Sequence, residues 1–562
     1  MSTEPTNNTG HPISEPGGRG RPGNPAPGSA YNDEAGSSGI PYKWLVVVAV
    51  VFGIFMSILD ATIVNIALAK LQAVFGADLN QIQWVITAYL LSLAISIPLA
   101  GYLADRFGIK RVYMTALLLF TGGSMLCGLS WSADSIIFFR ILQGLGGGAL
   151  LPLATAMIFA AFPPQQRGMA SAALGVPILL APALGPTLGG YIVQYGDWRL
   201  IFYINVPIGI IGFIIAGLLL RERRSPHPGR FDWRGFVFST IGFGTLLYGI
   251  SDASTDGWTS LKVLAFIGVG VISLLIFAFI ELTGESPLLD LRLFKDWNFT
   301  SGNLITWVLQ VSLFGALFLL SLFLQELRGL SPFETGLWLL PAALTTAVIL
   351  PISGFLVDRI GAKWVILVGT IALALASYGL SHLGLYTTFW GLQVLLISRS
   401  VALAFTLQPS NVVALYNVPR DALPRASSLV NVTRQVAASL GTAALATYVQ
   451  NRIPTHFAHL AEQASIFSPA ATFVSQIALA LEARGYTAIN AQIAALNILS
   501  FQLQKQATVM AFDDTYLLAA GIAVLGFVVA LFLRGRPKVA QEAGKAAGSE
   551  EARKTRQMAL VD

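Results

Sequence analysis

Of 562 residues, 54% are hydrophobic and only 11% charged, a balance that excludes a water-soluble domain of this size and reads as an integral membrane protein. The formal net charge of +6 needs no nucleic acid to explain it, because the basic residues gather in short connections beside apolar runs, as membrane topology requires. One cysteine, Cys127, lies inside an apolar run and leaves no intramolecular disulfide to form.

Residues 1–41 are rich in Pro, Gly, Ser and Asn, lack an apolar signal-peptide core, and read as a disordered cytoplasmic tail. Fourteen apolar spans follow, at 43–69, 84–104, 112–131, 135–160, 168–192, 199–220, 235–251, 262–281, 299–325, 333–357, 364–384, 387–416, 425–450 and 514–534. Each is predicted as a helix, since an open sheet or structureless segment would leave backbone groups without partners in lipid. One set of alternate short connections carries fifteen Lys and Arg, the other only Lys70, Arg199, Lys262 and Arg328. That asymmetry predicts both termini on the cytoplasmic side of a plasma or inner membrane. Segment 451–513 lies on the other side, mildly amphipathic, with Phe473–Leu481 and Ile489–Leu503 as candidate short helices that cap the outer mouth or dock a partner. Residues 535–562 read as a second cytoplasmic tail.

The chain contains a repeat. Residues 101–111 (GYLADRFGIKR) return in weaker form at 354–363 (GFLVDRIGAK), with 253 residues between Asp105 and Asp358. Arg140 pairs with Arg399 and Arg167 with Arg425 at offsets of 259 and 258. The two copies follow spans 2 and 10, so two six-helix halves require two inserted helices between them. The predicted fold is therefore all-α with 14 transmembrane helices as 6 + 2 + 6. Its parts are a lobe at 42–220, an insert at 221–298 and a second lobe at 299–534 that includes 451–513.

Asp60 is the one carboxylate well inside a span. An acid at a helix centre costs roughly 2.5–3.5 kcal/mol on insertion scales, so it must face the protein interior or a wet cavity. There it can take up and release a proton as its access alternates between the two sides. Arg140 shares its level and, when close, favours the ionised acid. Span 5 carries Pro177, Pro182 and Pro186 with glycines at 175, 185, 189 and 190, a pattern that bends a helix and permits close packing. Gly101, Asp105, Arg106 and Gly108, with Asp358 and Arg359 in the second copy, form a candidate latch on the cytoplasmic face. Asn303, Gln310, Arg399, Gln408, Asn411, Asn431, Arg434 and Gln435 are candidate cavity-lining groups of the second half. No phosphate-cradling loop and no clustered metal ligands occur in the sequence, so neither an enzyme nor a metal site is expected.

Five stretches together resemble the major facilitator superfamily, in particular its fourteen-helix EmrB/QacA-type drug:proton antiporters. They are LDATIVNIAL at 59–68, the 101–111 loop, RILQG at 140–144, GPTLGG at 185–190 and WRLIFYINVPIG at 198–209. Ala69 stands where that family often has a proline, and Ile109 where it often has a basic residue. The resemblance implies a major facilitator fold with Asp60 and Arg140 in proton coupling and Asp105 and Arg106 in an inner gate. It associates Gly185, Pro186, Gly189 and Gly190 with antiport. The expectation is multidrug efflux of hydrophobic or amphipathic small molecules driven by the proton gradient, without a cofactor. The presence of Arg399 and Arg434 against a single buried acid favours neutral or weakly anionic substrates over dications. A dedicated exporter of one metabolite, lipid or antibiotic is the alternative, and a non-transporting scaffold or receptor a distant one. In a cell with two membranes, the resemblance also implies a periplasmic HlyD-type adaptor docking near 451–513.

Overall fold

The computed structural model describes residues 40–77, 79–224, 229–285, 287–384, 387–464 and 469–534. Most of both predicted tails therefore lies outside the described residues. Helices α1 (Tyr42–Phe75), α2 (Leu79–Phe107), α3 (Ile109–Gly128), α4 (Ala133–Ala161), α5 (Arg167–Tyr195), α6 (Leu200–Tyr203) and α7 (Asn205–Leu219) build the first lobe. An inserted pair, α8 (Trp233–Asp256) and α9 (Leu261–Thr283), leads to the second lobe. This comprises α10 (Trp297–Leu322), α11 (Pro332–Ile360), α12 (Ala362–Leu380), α13 (Phe389–Ala414), α14 (Leu423–Gln463), α15 (Pro469–Glu482) and α16 (Ala488–Leu531). A helix stands at each of the fourteen predicted spans, the sixth shared by α6 and α7. Among the described residues, eleven helical segments are long and apolar enough to cross a membrane by length and composition alone. This is a multi-pass membrane protein.

Local chemistry fixes where these helices begin. Ser132 and Ser135 form a capping box at the start of α4, and Ser331 and Glu334 form another at the start of α11, with Pro332 in the first turn. In both copies of the repeat the second glycine takes a backbone conformation that other residues rarely adopt, with φ +100° at Gly108 and +91° at Gly361. The chain turns sharply there from α2 into α3 and from α11 into α12, so glycine is required at both places.

Within the first lobe α4 packs on α2 and α3, and within the second α12 packs on α13 and α16. The lobes meet along α5 and α11 on one side and α2 and α14 on the other. The inserted α8 covers this second seam and touches both lobes. Tyr248 stacks on Trp84 of α2 with 5.6 Å between ring centres, and Trp258, just beyond α8, donates from Nε1 to Thr447 Oγ1 of α14 at 2.8 Å. α9 turns Leu264, Ile272, Leu275 and Phe279 outward, an apolar face suited to lipid.

Segment 451–513 contains the short helix expected over Phe473–Leu481, as α15, whereas the helix expected over Ile489–Leu503 is part of the longer α16. The segment is mainly the continuation of two helices: α14 has 41 residues and α16 has 44. At 1.5 Å per residue each is roughly 60–66 Å long, about twice the ~30 Å hydrocarbon core. Their extended ends are tied by Asp514, which accepts from Arg452 Nε at 2.6 Å and contacts His456 Nε2 at 2.9 Å. Hydropathy fades at these charged residues while helix-compatible residues such as Ala458, Ala461, Ala491 and Ala495 continue.

Candidate functional site

The site grows from α1 and α4. Asp60 and Arg140 are both fully buried and form an ion pair between Asp60 Oδ2 and Arg140 Nη1. One turn along α4, Gln143 donates from Nε2 to Asp60 Oδ1 at 2.9 Å and accepts from Arg140 Nη1 at 2.8 Å. Asn205, at the start of α7, donates from Nδ2 to the same Asp60 Oδ1 at 3.0 Å and contacts Ser124 Oγ at 3.0 Å. Arg140 Nε donates to the Val85 carbonyl at 3.0 Å, and the guanidinium lies 4.1 Å from the Tyr89 ring centre. The Asp60 carboxyl is thus held by three donors from two helices, with an aromatic ring beside the Arg140 guanidinium.

Close helix approach makes this possible. A side chain at Gly123 of α3 would lie 2.7 Å from Gln143 Cα, and one at Gly144 would lie 2.6 Å from the Tyr89 carbonyl oxygen. Larger residues there would push α4 away from its neighbours and separate the polar groups. Beside the pair, Arg140 Nη2 and Asn205 Oδ1 have no hydrogen-bond partner among the described residues. Gln143 and Asn205 belong to stretches singled out in the sequence, yet neither was assigned a role there. The available signal was the number of acceptor sites on a buried carboxylate, more than one arginine fills.

The glycines of α5 fit around α1. A Cβ at Gly185 would lie 2.3 Å from Thr62 Oγ1, and one at Gly189 would lie 2.8 Å from Ile63 Cγ1. Gly190 faces the other lobe, where a Cβ would lie 2.6 Å from Phe333 N. α5 remains one helix through Pro177, Pro182 and Pro186. Its small-residue faces therefore join the Asp60 helix to the lobe boundary.

At the face carrying the basic connections, the two copies of the repeat clasp opposite lobes. Asp105 accepts from Arg425 Nε at 2.8 Å, at the start of α14. Asp358 accepts from the Gly168 and Met169 N–H groups at 2.7 and 3.0 Å, at the start of α5. The first glycines permit these approaches: a Cβ at Gly101 would lie 3.0 Å from Arg425 Cα, and one at Gly354 would lie 2.7 Å from the Gly168 carbonyl oxygen. Arg167 Nη1 adds bonds to the Leu415 carbonyl at 2.7 Å and to that of Tyr416, and Ser171 Oγ donates to the Gln408 carbonyl at 2.7 Å. This face is closed. Arg106 and Arg359 are exposed, the latter over the Phe355 ring at 5.6 Å.

The candidate cavity residues divide into separate settings. Gln408 and Asn411 are bonded to each other at 3.2 Å, and Gln408 belongs to the closed lobe boundary through Ser171. Asn431 Oδ1 accepts from Arg434 at 2.5 Å, and Arg434 and Gln435 are half-buried. Asn303 and Gln310 are buried on α10, and Arg399 is 6% exposed on α13. No hydrogen bond among the described residues joins these three settings.

The sequence model of the Major Facilitator Superfamily matches residues 50–442. The chain is 32% identical to "Multidrug export protein EmrB" of Escherichia coli (strain K12), over 86% of this chain and 94% of that protein. It is also 32% identical to "Tetracenomycin C resistance and export protein" of Streptomyces glaucescens, over 76% of this chain and 79% of that protein. Among solved structures, the human organic anion transporter MFSD10 (TETRAN) aligns with a TM-score of 0.56 at 14% identity, covering 87% of this chain and 100% of that one.

Proposed function

The chain belongs to the major facilitator superfamily and is a transporter rather than an enzyme, and we propose that it exports hydrophobic or amphipathic small molecules in exchange for protons by alternating access. The observation that carries this reading is the buried Asp60–Arg140 pair, held in one lobe of a molecule whose basic face is shut by contacts between lobes. In this arrangement the Asp60 carboxyl pairs with Arg140. A proton arriving from the opposite face cancels the acid's charge, weakens its hold on Arg140 and frees the four helices around it to repack. Opening of the basic face then requires the Asp105–Arg425 and Asp358–α5 contacts to separate. Entry of substrate from that side and return of the proton to it complete the exchange.

The names of the relatives, which describe multidrug and antibiotic export, support the substrate class. The tetracenomycin relative favours, as a second reading, dedicated export of one antibiotic-like molecule. The asymmetry of the basic connections supports a cytoplasmic position for the closed face and both termini, with the chain in the cell membrane. The extended ends of α14 and α16, joined by α15, then project outward and provide a surface for an HlyD-type adaptor where the cell has a second membrane.

Everted vesicles test the coupling. With an imposed inward-acidic pH gradient, a hydrophobic dye is expected to accumulate in vesicles carrying the protein and to leak out on addition of a protonophore. Accumulation that survives collapse of the gradient overturns proton coupling. Uptake of a single antibiotic-like compound, with no dye moved, would favour the dedicated exporter.

A further inference from the structure

We propose that Arg399 is a recognition point for a monoanionic group, in the first place the carboxylate of an exported substrate. This rests on the exporter reading. Arg399 follows Arg140 by 259 residues and occupies the matching helix of the second lobe. There α13 packs on α10, the repeat counterpart of α1. In the first lobe that neighbouring helix supplies Asp60. In the second, among the described residues, it supplies the Ser312 carbonyl, which accepts from Arg399 Nη2 at 3.0 Å.

Arg399 is 6% exposed, and its Nε has no hydrogen-bond partner among the described residues. Ser312 is fully buried, and its Oγ is likewise without a partner. Among the described residues no carboxylate bonds to Arg399. The Tyr516 phenol lies within electrostatic range of both Arg399 and Asp513, and Asp513 accepts from the Leu383 N–H instead. Arg399, bonded to the Ser312 carbonyl, therefore keeps a free donor in Nε, the same serine keeps an unused hydroxyl, and no carboxylate among the described residues pairs with the guanidinium. A carboxylate suits that arrangement, because the planar guanidinium donates along its edge while the serine hydroxyl donates to the second oxygen. A halide shares the single charge and the acceptor chemistry. A cation would meet repulsion in a place where water does not screen it.

The test is binding to the intact chain in lipid nanodiscs, in chloride-free sulfate buffer and without a pH gradient. Sodium benzoate, neutral benzyl alcohol and sodium chloride are titrated separately, and then chloride against benzoate. Benzoate is expected to bind the wild type, more weakly to Arg399→Lys, and about tenfold or more worse to Arg399→Met, with Ser312→Ala intermediate. Benzyl alcohol binding is expected to be unaffected by these changes. Displacement of benzoate by millimolar chloride, with the same dependence on Arg399, assigns the site to an inorganic anion. Failure of chloride to displace it assigns the site to the substrate carboxylate. Equal binding of benzoate and benzyl alcohol by the wild type, absence of anion binding, or full benzoate affinity in Arg399→Met overturns the proposal. The first two comparisons need no variant to fold, and none involves flux, so a failure here leaves the vesicle result for export standing.

Discussion

Arg140→Met is expected to destabilise the protein by about 3–5 kcal/mol, because it leaves the Asp60 carboxylate buried without its counter-ion. Gln143 and Asn205 still donate to that carboxylate, but two neutral amides do not balance a charge removed from water. Asp60→Asn in the same background removes the uncompensated charge while preserving the shape of the side chain. The double variant is therefore expected to recover part of the loss, and the two changes to be strongly non-additive. Thermal unfolding of the four purified proteins measures this directly. Additive effects would mean that the pair does not act as a unit, contrary to the site described above.

The closed face depends on two carboxylates from the repeat. Asp105→Asn/Asp358→Asn is expected to open it: a hydrogen bond to a charged group is worth about 1.5–3 kcal/mol, so losing each contact shifts the balance between closed and open by one to two powers of ten. Each single variant is expected to shift it part of the way. Ala172, on α5 beside Gly168 and Ser171, is buried and packs against Gly354 and Gln408 at the closed lobe boundary. A cysteine placed there reports opening through its rate of maleimide labelling from the basic face, since the native Cys127 is itself buried. Faster labelling and at least tenfold slower efflux are expected in the double variant. Labelling at the wild-type rate would show that these carboxylates do not hold the face shut.

Much of this architecture was legible because lipid imposes a simple code. A charge fraction of 11% with apolar runs of membrane length leaves helices as the only ordered solution, and the repeated GxLxDRxG loop identifies the two lobes. Asp60 and Arg140 stood out because a charge inside an apolar run is costly and rare. Their partners Gln143 and Asn205 did not, since a neutral amide in a helix carries little such penalty and is also a common packing residue. The loop aspartates illustrate another limit. Sequence suggested a latch, but only the folded chain reveals that Asp105 takes an arginine side chain while Asp358 takes two backbone N–H groups. A backbone donor leaves no trace in residue identity. In segment 451–513 the helices expected over Phe473–Leu481 and Ile489–Leu503 are present, but the length of α14 and α16 was not legible, because membrane hydropathy ends well before α14 does, whereas helix propensity continues.

The most direct measurement is substrate-dependent proton release from proteoliposomes, made on the wild type and on Asp60→Asn with a small panel of hydrophobic drugs. The wild type is expected to release protons when drug is added, and Asp60→Asn to bind the same drug while releasing none. Proton release by Asp60→Asn at the wild-type level would remove Asp60 from the coupling step and contradict the account at its centre.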